Sequence, residues 1–371
     1  MSVNTGTIGI IGGGQLGMMM TEAAHNLGFR VVVLDPVPGC PCGLIAEEQI
    51  IADYGDEDKI LELCRKSDVV TYEFENVPYT SVKKWKEKFS IPQGEMPLFL
   101  SQHRIREKNA AVEAGAVCGE YRPVNSSAEL SRALEELGFP SVLKTCSGGY
   151  DGKGQIVLRS DNDLSPALEM ADKTECILEK FIPFDCEISV IVTRSIHGEV
   201  STLPITQNIH KDNILFMSIA PAPVSPQVLE KAKKMAVSMM INFDFAGTLA
   251  IEMFVVGDNV YFNEMAPRPH NSGHYSIEGC ITGQFEQHIR AITGLPLGDT
   301  TLKQPTIMVN YLGQHVPGIE NLKKASLPDV YIHDYGKAKA VNNRKMGHVT
   351  FLHYNRREVE DIVQQYWENS N

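Results

Sequence analysis

Apolar residues near the start of the chain occur in short runs that are separated by glycine. Residues 8–11 form one run, the glycine-rich residues 12–17 follow, and residues 31–34 form a second run. The intervening residues 18–27 have the apolar spacing of a helix. This order predicts a βαβ unit, in which the two strands are parallel and buried on both faces.

The same alternation is repeated more weakly over the next forty residues. Strands are predicted over residues 49–52 and 68–72, with a helix over residues 58–64 between them. We therefore expect a Rossmann-like domain with a parallel sheet over residues 1–99.

The pattern changes after residues 91–98, whose prolines and glycine indicate a linker. A helix is predicted over residues 102–114. Ser126 and Glu129 have the spacing of a capping box, so a second helix is expected to begin there and to end at Gly138.

Strands dominate the rest of the chain. They are predicted over residues 141–145, 155–158, 176–179, 187–193, 249–256, 260–263, 307–312, 330–333 and 349–352. Helices followed by strands indicate an α+β domain over residues 100–292, with a flap subdomain at about 120–183. Residues 293–371 are expected to form a small, mostly β domain that ends in a helix.

Composition and charge exclude several classes of protein. The 371 residues include 43% hydrophobic and 22% charged residues, as in an ordinary globular protein. The 34 basic and 46 acidic residues give a net charge of −12, which argues against a protein that coats nucleic acid or a membrane surface. The eight cysteines form no CxxC pair, and we predict no signal peptide and no membrane helix. A cytoplasmic protein is expected.

The first glycine-rich stretch has two interpretations. Gly12, Gly14 and Gly17 fit the GxGxxG pattern, and Asp35 ends the next strand, as a ribose-binding acid does in a dinucleotide site. This pattern is the main argument for an NAD-dependent oxidoreductase. A helix N-terminus binds phosphate in general, so a nucleotide monophosphate satisfies the pattern equally well.

A second glycine-rich stretch lies at residues 147–154. It differs from a Walker A loop, because Lys153 is followed by Gly154 and the chain continues into a strand. A strand, a glycine loop and a second strand predict a flap whose backbone can approach phosphate oxygens, with Lys144 and Lys153 supplying positive charge. The alternative is a surface hairpin with solvated lysines.

The strands around residues 257–259 predict a third site. A three-residue turn centred on Asp258 places Glu252 directly opposite Glu264, and facing side chains in an antiparallel pair are close together. Two such carboxylates suit Mg²⁺, and Asn263 can add an oxygen. A two-residue turn would shift the register by one residue, and the alternative is then two solvent-facing glutamates.

Further polar residues extend the candidate chemistry. Arg268 follows the predicted carboxylate pair by four residues and is a candidate for binding a small oxyanion. Residues 179–182 offer a backbone edge for adenine, and Glu187 offers a carboxylate for ribose. Residues 335–348 contain four basic side chains and no acid, which suits an anionic substrate: Lys337, Lys339, Arg344 and Lys345.

Several runs resemble the ATP-grasp superfamily and, within it, the 5-(carboxyamino)imidazole ribonucleotide synthetases. The similar stretches are residues 12–17, 72–77, 149–154, 179–182, 263–274 and 344–348. The resemblance implies an ATP-grasp fold of mixed α/β and α+β class, preceded by a Rossmann-like pre-ATP-grasp domain and followed by a small β-rich domain. It also implies ATP and Mg²⁺ as cofactors and a homodimer.

The activity implied by the resemblance is the ATP- and bicarbonate-dependent carboxylation of 5-aminoimidazole ribonucleotide in purine biosynthesis. Catalytic roles are implied for Asp151, Arg268 and Lys337, and Mg²⁺ binding for Glu252 and Glu264. ATP contacts are implied for Arg104, Lys144, Gly149, Tyr150, Asp151, Gly152, Lys153, Gly154, Gln155, Glu179, Lys180, Phe181, Ile182, Glu187, His210, Asn263 and Glu264. Ribonucleotide contacts are implied for Gln15, Leu16, Glu73, Asn76, Tyr150, Asp151, Lys337, Arg344 and Lys345.

Two departures and three alternatives accompany the resemblance. The family usually has Asp where His103 stands, and an Arg-Pro-Gly run where residues 341–343 stand. The alternatives are an NAD-dependent oxidoreductase, an ATP-binding module without catalysis, and another ATP-grasp enzyme such as a formate-using transformylase. A biotin-dependent carboxylase is disfavoured because the chain has no Met-Lys-Met biotinyl signature.

Overall fold

The computed structural model describes residues 6–148 and 154–368. It has seventeen strands in this part of the chain, and they form three sheets. The strands are β1 Thr7–Ile11, β2 Arg30–Leu34, β3 Glu48–Ile50, β4 Val69–Tyr72, β5 Tyr121–Val124, β6 Ser141–Thr145, β7 Gln155–Leu158, β8 Cys176–Lys180, β9 Cys186–Arg194, β10 Val200–Thr202, β11 Thr206–Lys211, β12 Ile214–Ala220, β13 Gly247–Val256, β14 Asn259–Ala266, β15 Thr306–Leu312, β16 Val330–Asp334 and β17 Lys345–Leu352.

Twelve α-helices cover these sheets in the described ranges. They are α1 Gln15–Asn26, α2 Glu57–Lys66, α3 Tyr79–Lys86, α4 Met96–Ser101, α5 Arg104–Glu113, α6 Ser127–Leu137, α7 Leu164–Lys173, α8 Pro226–Phe243, α9 Ser276–Gly279, α10 Gln284–Thr293, α11 Val316–Ala325 and α12 Arg356–Val363. Short 3-10 turns lie at Asp161–Asp163, Asn271–Gly273 and Gly313–His315, and a π turn at Gln364–Glu368. None of the described helices is both long enough and apolar enough to cross a membrane.

The first sheet confirms the predicted parallel architecture. Its strand order is β3-β2-β1-β4, and every neighbouring pair is parallel. Helix α1 begins at Gln15, three residues before the predicted start, because the glycine turn passes directly into the helix. The side chains that the sheet buries on both faces explain why these strands have continuous apolar runs.

The second sheet is a flap sheet of four antiparallel strands in the order β5-β8-β6-β7. Helices α6 and α7 contribute to its apolar core. Ser126 caps α6 as predicted, since its side chain accepts a hydrogen bond from Glu129 N at 3.2 Å. In a capping box the Glu129 carboxylate would accept from Ser126 N. Here it accepts from Asn125 N instead, at 2.8 Å.

The third sheet has nine antiparallel strands and provides much of the core. Its order is β14-β13-β9-β11-β12-β15-β17-β16, and β10 pairs with β9. The sequence patterns did not predict β11, β12 or α8. Strands β15–β17 were expected in a small C-terminal domain, and in the structure they extend this large sheet through the β12–β15 pair. The domain boundaries at residues 99 and 292 stay predictions.

The predicted linker over residues 91–98 is instead a packed segment. Gln93 is fully buried, and its side chain bridges strand β4 and the loop after β14. Its Nε2 donates to Pro267 O at 3.0 Å, and its Oε1 accepts from the Thr71 hydroxyl. The prolines and glycine of this segment allow a tight course between the parallel sheet and the large sheet.

Candidate active site

A cavity of about 650 Å³ lies where the flap sheet, the large sheet and the first glycine turn meet. Many of the residues that were predicted to have functional roles line it. They are Gln15, Leu16, Asn76, Arg104, Lys144, Gln155, Glu179, Lys180, Phe181, Ile182, Glu187, His210, Glu252, Asn263, Glu264, Arg268 and Lys345. The structure therefore brings together side chains that are up to 330 positions apart in the sequence.

The predicted pairing of Glu252 with Glu264 is present, but the turn differs from the predicted one. Strands β13 and β14 pair Val256 with Asn259, so the turn has two residues, and this register alone would bring Glu252 opposite residue 263. A bulge between the Met253–Phe262 pair and the Glu252–Glu264 pair inserts Asn263 as an extra residue. This bulge restores the facing carboxylates.

The two carboxylates form an acidic pair on the cavity wall, in which Glu252 is buried and Glu264 is partly exposed. Burial and the charge of Glu264 raise the pKa of Glu252 to about 8. Nearby, burial and the same Glu264 charge raise the pKa of Glu107 to about 8, and the Glu107 carboxylate accepts from Met265 N at 2.6 Å. Arg104 Nη1 lies 3.3 Å from Glu264 Oε2 and partly offsets the negative charge. Facing carboxylate oxygens of this kind fit a hard divalent cation such as Mg²⁺.

The affinity for a divalent cation should depend on pH with a definite sign. Glu252 is protonated below a pH of about 8, and a cation must displace that proton, so affinity should fall as pH decreases through this range. We expect up to about a tenfold loss per pH unit. The measurement is the free Mn²⁺ signal in electron paramagnetic resonance at several pH values without nucleotide.

The control for this titration is Glu107→Gln, because Glu107 titrates in the same range. The amide that replaces the carboxylate keeps an oxygen acceptor for Met265 N, so the fold is expected to persist. The pH dependence should remain in that variant. Mn²⁺ affinity that is constant from pH 6 to pH 9 in the wild type would contradict the assignment to Glu252.

A second charged group centres on Glu179 of strand β8. Its Oε2 lies 3.0 Å from Lys144 Nζ and 3.3 Å from Lys108 Nζ. Burial opposes ionisation, but the two ammonium groups outweigh it and lower the pKa of Glu179 to about 2. Lys108 was missed in the sequence, although it follows Arg104 by one helical turn of α5 and therefore shares its face.

Removing the Lys108 ammonium should destabilise the protein. Lys108→Met leaves the buried Glu179 carboxylate with one cation instead of two, so we expect a loss of about 2 to 3 kcal/mol in unfolding free energy. Urea denaturation at neutral pH measures this loss. The matched control is Lys84→Met, which breaks a largely exposed pair with Glu57 and should have little effect. Equal losses in the two variants would contradict the buried-pair interpretation.

Part of the cavity lining is apolar. Phe184 and Phe254 stack with ring centroids 4.6 Å apart, and Val142, Val157 and Leu215 also line this region. At its edge, His210 Nδ1 lies 2.8 Å from Glu187 Oε2. An apolar slot with a charged edge can accept a planar base and its sugar hydroxyls.

The ammonium of Lys180 is held by a backbone carbonyl. Its ammonium donates to Leu137 O at the end of helix α6. The backbone of residues 180–182 continues along the cavity wall after strand β8.

The first glycine turn does not offer a free anion site. Glu73 accepts hydrogen bonds from Gly14 N and Gly17 N, both at 2.6 Å, so its carboxylate already occupies the N-terminus of α1. The Asp35 carboxylate accepts from Gly13 N at 2.7 Å and from the Tyr54 hydroxyl at 2.7 Å. The polar groups that the oxidoreductase interpretation needs for a dinucleotide are therefore used within the protein.

Arg268 has a partner that the sequence did not indicate. Its guanidinium binds the carboxylate of Glu75 through Nε at 2.5 Å and Nη2 at 3.0 Å, and its Nη1 donates to Pro269 O at 3.1 Å. Burial opposes the charge on both groups, but their mutual attraction outweighs it, raising the pKa of Arg268 and lowering that of Glu75. These two hydrogen bonds form what we call the Arg268–Glu75 clamp, which fixes the guanidinium plane at the cavity wall.

The basic side chains of residues 335–348 do not all reach the cavity. Lys345 lines the cavity, whereas Lys337 and Arg344 do not. Burial and the charges of Arg344 and Lys345 lower the pKa of Lys337 to about 8, and its ammonium donates to Lys345 O at 2.8 Å. Arg344 is exposed, and its Nη1 donates to Lys339 O at 3.3 Å. The predicted roles of Lys337 and Arg344 stay predictions.

Some predicted positions are not on the cavity wall or are not described. Glu73 lies behind the first glycine turn, and Gly154 accepts a backbone bond from Thr145 N at 2.8 Å next to the flap loop. The predicted residues of the flap tip lie outside the described residues. They are Gly149, Tyr150, Asp151, Gly152 and Lys153.

Comparison with family models divides the chain into three matched regions. The ribonucleotide synthetase preATP-grasp domain matches residues 5–100, and the ATP-grasp domain matches residues 109–285. The phosphoribosylaminoimidazole carboxylase C-terminal domain matches residues 306–362. The matches occur in the order that the sequence resemblance implies.

Individual relatives are similar over almost the whole chain. The N5-carboxyaminoimidazole ribonucleotide synthase of Bacillus subtilis strain 168 is 46% identical over 98% of this chain and 95% of its own length. The N5-carboxyaminoimidazole synthetase of Staphylococcus aureus complexed with ADP is 40% identical, with a TM-score of 0.93 and coverage of 98% and 97%. The synthase of Aspergillus clavatus in complex with ADP and 5-aminoimidazole ribonucleotide is 32% identical, with a TM-score of 0.91 and 99% coverage of both chains.

Proposed function

The chain belongs to the N5-carboxyaminoimidazole ribonucleotide synthase family of ATP-grasp enzymes, and from this premise we propose how its cavity performs the family reaction. It is an ATP-dependent carbon–nitrogen ligase that carboxylates 5-aminoimidazole ribonucleotide in purine biosynthesis. The observation that carries the residue assignments is the single cavity, in which an apolar slot, a facing carboxylate pair and the Arg268–Glu75 clamp adjoin one another.

We assign ATP to the side of the cavity between the flap sheet and the large sheet. The apolar slot with Phe181 and Ile182 would hold adenine, and Glu187 with His210 would contact the ribose. Lys144 would then face the phosphates from strand β6. Arg104, Gln155, Glu179, Lys180 and Asn263 complete the proposed ATP contacts in the described residues, and the flap residues 149–154 are proposed to cover the phosphates.

The residues present fit Mg²⁺, because Glu252 and Glu264 face each other as oxygen donors beside the proposed phosphate position. When bound there with ATP, Mg²⁺ supplies positive charge that stabilises the transferring phosphoryl group. Asn263 is the extra residue of the bulge next to the Glu252–Glu264 pair, and its side chain can add an oxygen.

Bicarbonate is proposed to bind beside Arg268. The guanidinium holds Glu75 with one edge, which leaves hydrogens on Nη1 and Nη2 for a small oxyanion. A bicarbonate oxygen would attack the γ-phosphate of ATP and displace ADP, and the resulting carboxyphosphate has to be protected from water. The clamp contributes by fixing the guanidinium before the substrate arrives.

The ribonucleotide is proposed to lie at the N-terminal side of the cavity. Gln15, Leu16 and Asn76 line this side, and Lys345 extends toward it from strand β17. Arg344 would contribute positive charge for the 5′-phosphate together with Lys345, and Tyr150 and Asp151 are proposed to orient the attacking amine. Glu73 would act indirectly, by holding the glycine turn that carries Gln15.

The reaction then joins the exocyclic amine to the carboxyl carbon and releases phosphate. Lys337, whose pKa is lowered to about 8, is the proposed acceptor for the amine proton in its neutral form. We also propose that the enzyme works as a homodimer. A cytoplasmic location is proposed as well, because the eight free thiols suit a reducing compartment.

The direct test is a coupled assay of the purified chain. ADP release and ribonucleotide carboxylation are measured separately, with and without bicarbonate and with and without 5-aminoimidazole ribonucleotide. We expect carboxylation only when both substrates and Mg²⁺–ATP are present. ADP release that is independent of bicarbonate would contradict the proposed order, and NADH oxidation measured in parallel should be absent.

A further inference from the structure

Three side chains that can each ligate a metal ion lie close together at a point separate from the Glu252–Glu264 pair. A ring nitrogen of His103, the sulfur of Cys146 and a carboxylate oxygen of Glu175 lie within 4.8 Å of one another. His103 directly precedes helix α5, Cys146 directly follows strand β6, and Glu175 directly precedes strand β8. Residues that are far apart in the sequence thus converge on one point.

Backbone hydrogen bonds hold this convergence independently of the side chains. Arg104 N donates to Cys146 O at 2.9 Å, and Cys146 N donates to Glu175 O at 2.9 Å. The start of α5 and the two strand ends are therefore joined directly. A ligand at this point would meet side chains on a fixed framework, so little ordering would be needed on binding.

One nitrogen of the His103 imidazole contacts Glu175, and the other has no hydrogen-bond partner. Its Nε2 lies 3.1 Å from Glu175 Oε2, and its Nδ1 is buried without a hydrogen-bond partner. A buried polar atom without a partner is uncommon and costs free energy. The thiol is also buried, with 2% of Cys146 exposed, so it is shielded from bulk oxidants. A metal ion would use the imidazole and the thiol, since neutral imidazole and thiolate are strong ligands for zinc.

We propose that His103, Cys146 and Glu175 form a binding site for a zinc-like divalent cation, distinct from the Mg²⁺ pair. One nitrogen, one sulfur and one oxygen ligand suit a four-coordinate ion whose fourth position is taken by water. Mg²⁺ prefers oxygen ligands alone, so the two sites differ in the ion they select.

Binding at this site replaces the thiol proton with a sulfur–metal bond. The thiol gives its proton to solvent, and the metal takes both electrons of the sulfur lone pair, so no oxidant or reductant is needed. The thiolate ligand therefore favours zinc-like metals over Mg²⁺.

The site adjoins the ATP cavity. Cys146 lines that cavity directly before the glycine-rich flap loop, and Arg104 follows His103 and contacts Glu264. Bound nucleotide and bound metal would therefore be close neighbours. We expect ADP with Mg²⁺ to change the affinity for zinc, and zinc to change the affinity for ADP by the same factor.

Co²⁺ titration of the purified full-length chain tests the site, because a cobalt–thiolate bond has a near-ultraviolet charge-transfer band. The wild type should develop this band with one equivalent of Co²⁺, and Zn²⁺ should abolish it whereas excess Mg²⁺ should not. Cys146→Ser should remove the band. Cys186→Ser is the matched control, since Cys186 is a partly exposed thiol elsewhere, and it should retain the band.

His103→Gln and Glu175→Gln provide a second test that leaves the thiol in place. Each should weaken Co²⁺ affinity by about tenfold or more. Glu175 is half-exposed, so its variant is expected to fold, and circular dichroism checks each protein. A band that persists in Cys146→Ser, or Co²⁺ affinity that is unchanged in both His103→Gln and Glu175→Gln, would overturn the proposal. The absence of a band in the wild type would overturn it as well.

Discussion

Glu264→Gln is expected to lower Mg²⁺-dependent ADP formation by about 10² to 10³-fold. The substitution keeps the shape of the side chain but removes one of the two carboxylates that face each other across β13 and β14. A metal that stabilises a transferring phosphoryl group contributes several kcal/mol, so weakening its site costs a large factor in rate. Steady-state ADP release at saturating ATP, measured over a range of Mg²⁺ concentrations, gives this factor.

Glu230→Gln is the matched control for this loss. It makes the same chemical change on an exposed position of helix α8, away from the cavity. Its activity should equal that of the wild type. The metal assignment would be wrong if Glu264→Gln retained full ADP release at limiting Mg²⁺, or if both variants lost activity equally.

Arg268→Met is expected to abolish ribonucleotide carboxylation and also to destabilise the fold. The proposed oxyanion loses its guanidinium partner, for which we expect a loss of about 10² to 10³-fold. The Glu75 carboxylate loses both hydrogen bonds from Arg268, for which we expect about 2 kcal/mol of lost unfolding free energy. Carboxylation assays and urea denaturation measure the two effects separately.

The double variant Arg268→Met/Glu75→Gln separates catalysis from stability. It removes the uncompensated carboxylate, so it should regain most of the lost stability. Carboxylation should stay as low as in the single variant, because the oxyanion partner is still missing. Recovery of carboxylation in the double variant would show that Arg268 serves only to neutralise Glu75.

In the β13–β14 hairpin the facing residues were predicted correctly, but the length of the turn was predicted wrongly. The pairing of Glu252 with Glu264 was predicted from a three-residue turn, and the structure achieves it with a two-residue turn and a bulge at Asn263. A bulge depends on how two strands fit their neighbours, and residue type alone does not reveal it. The sequence could therefore indicate which residues face each other without indicating how.

Partners of charged residues were harder to predict than the charged residues themselves. Arg268 was identified as a candidate from its spacing to Glu264, but its clamp with Glu75 joins positions 193 residues apart. Lys108 was missed because a lysine on a helix is usually solvated, and only the packing of α5 against strand β14 buries it beside Glu179. Such contacts arise when separate elements meet, so local patterns give no signal for them.

The sequence by itself determined the local features of this protein. Apolar runs and glycine turns predicted the parallel sheet, most strands and the candidate flap, because each depends on neighbouring residues. Only the tertiary structure decided that the C-terminal strands continue the large sheet, that Glu73 fills the first glycine turn and that His103 meets Cys146. These outcomes depend on which distant surfaces pack together, and packing is set by the whole chain at once.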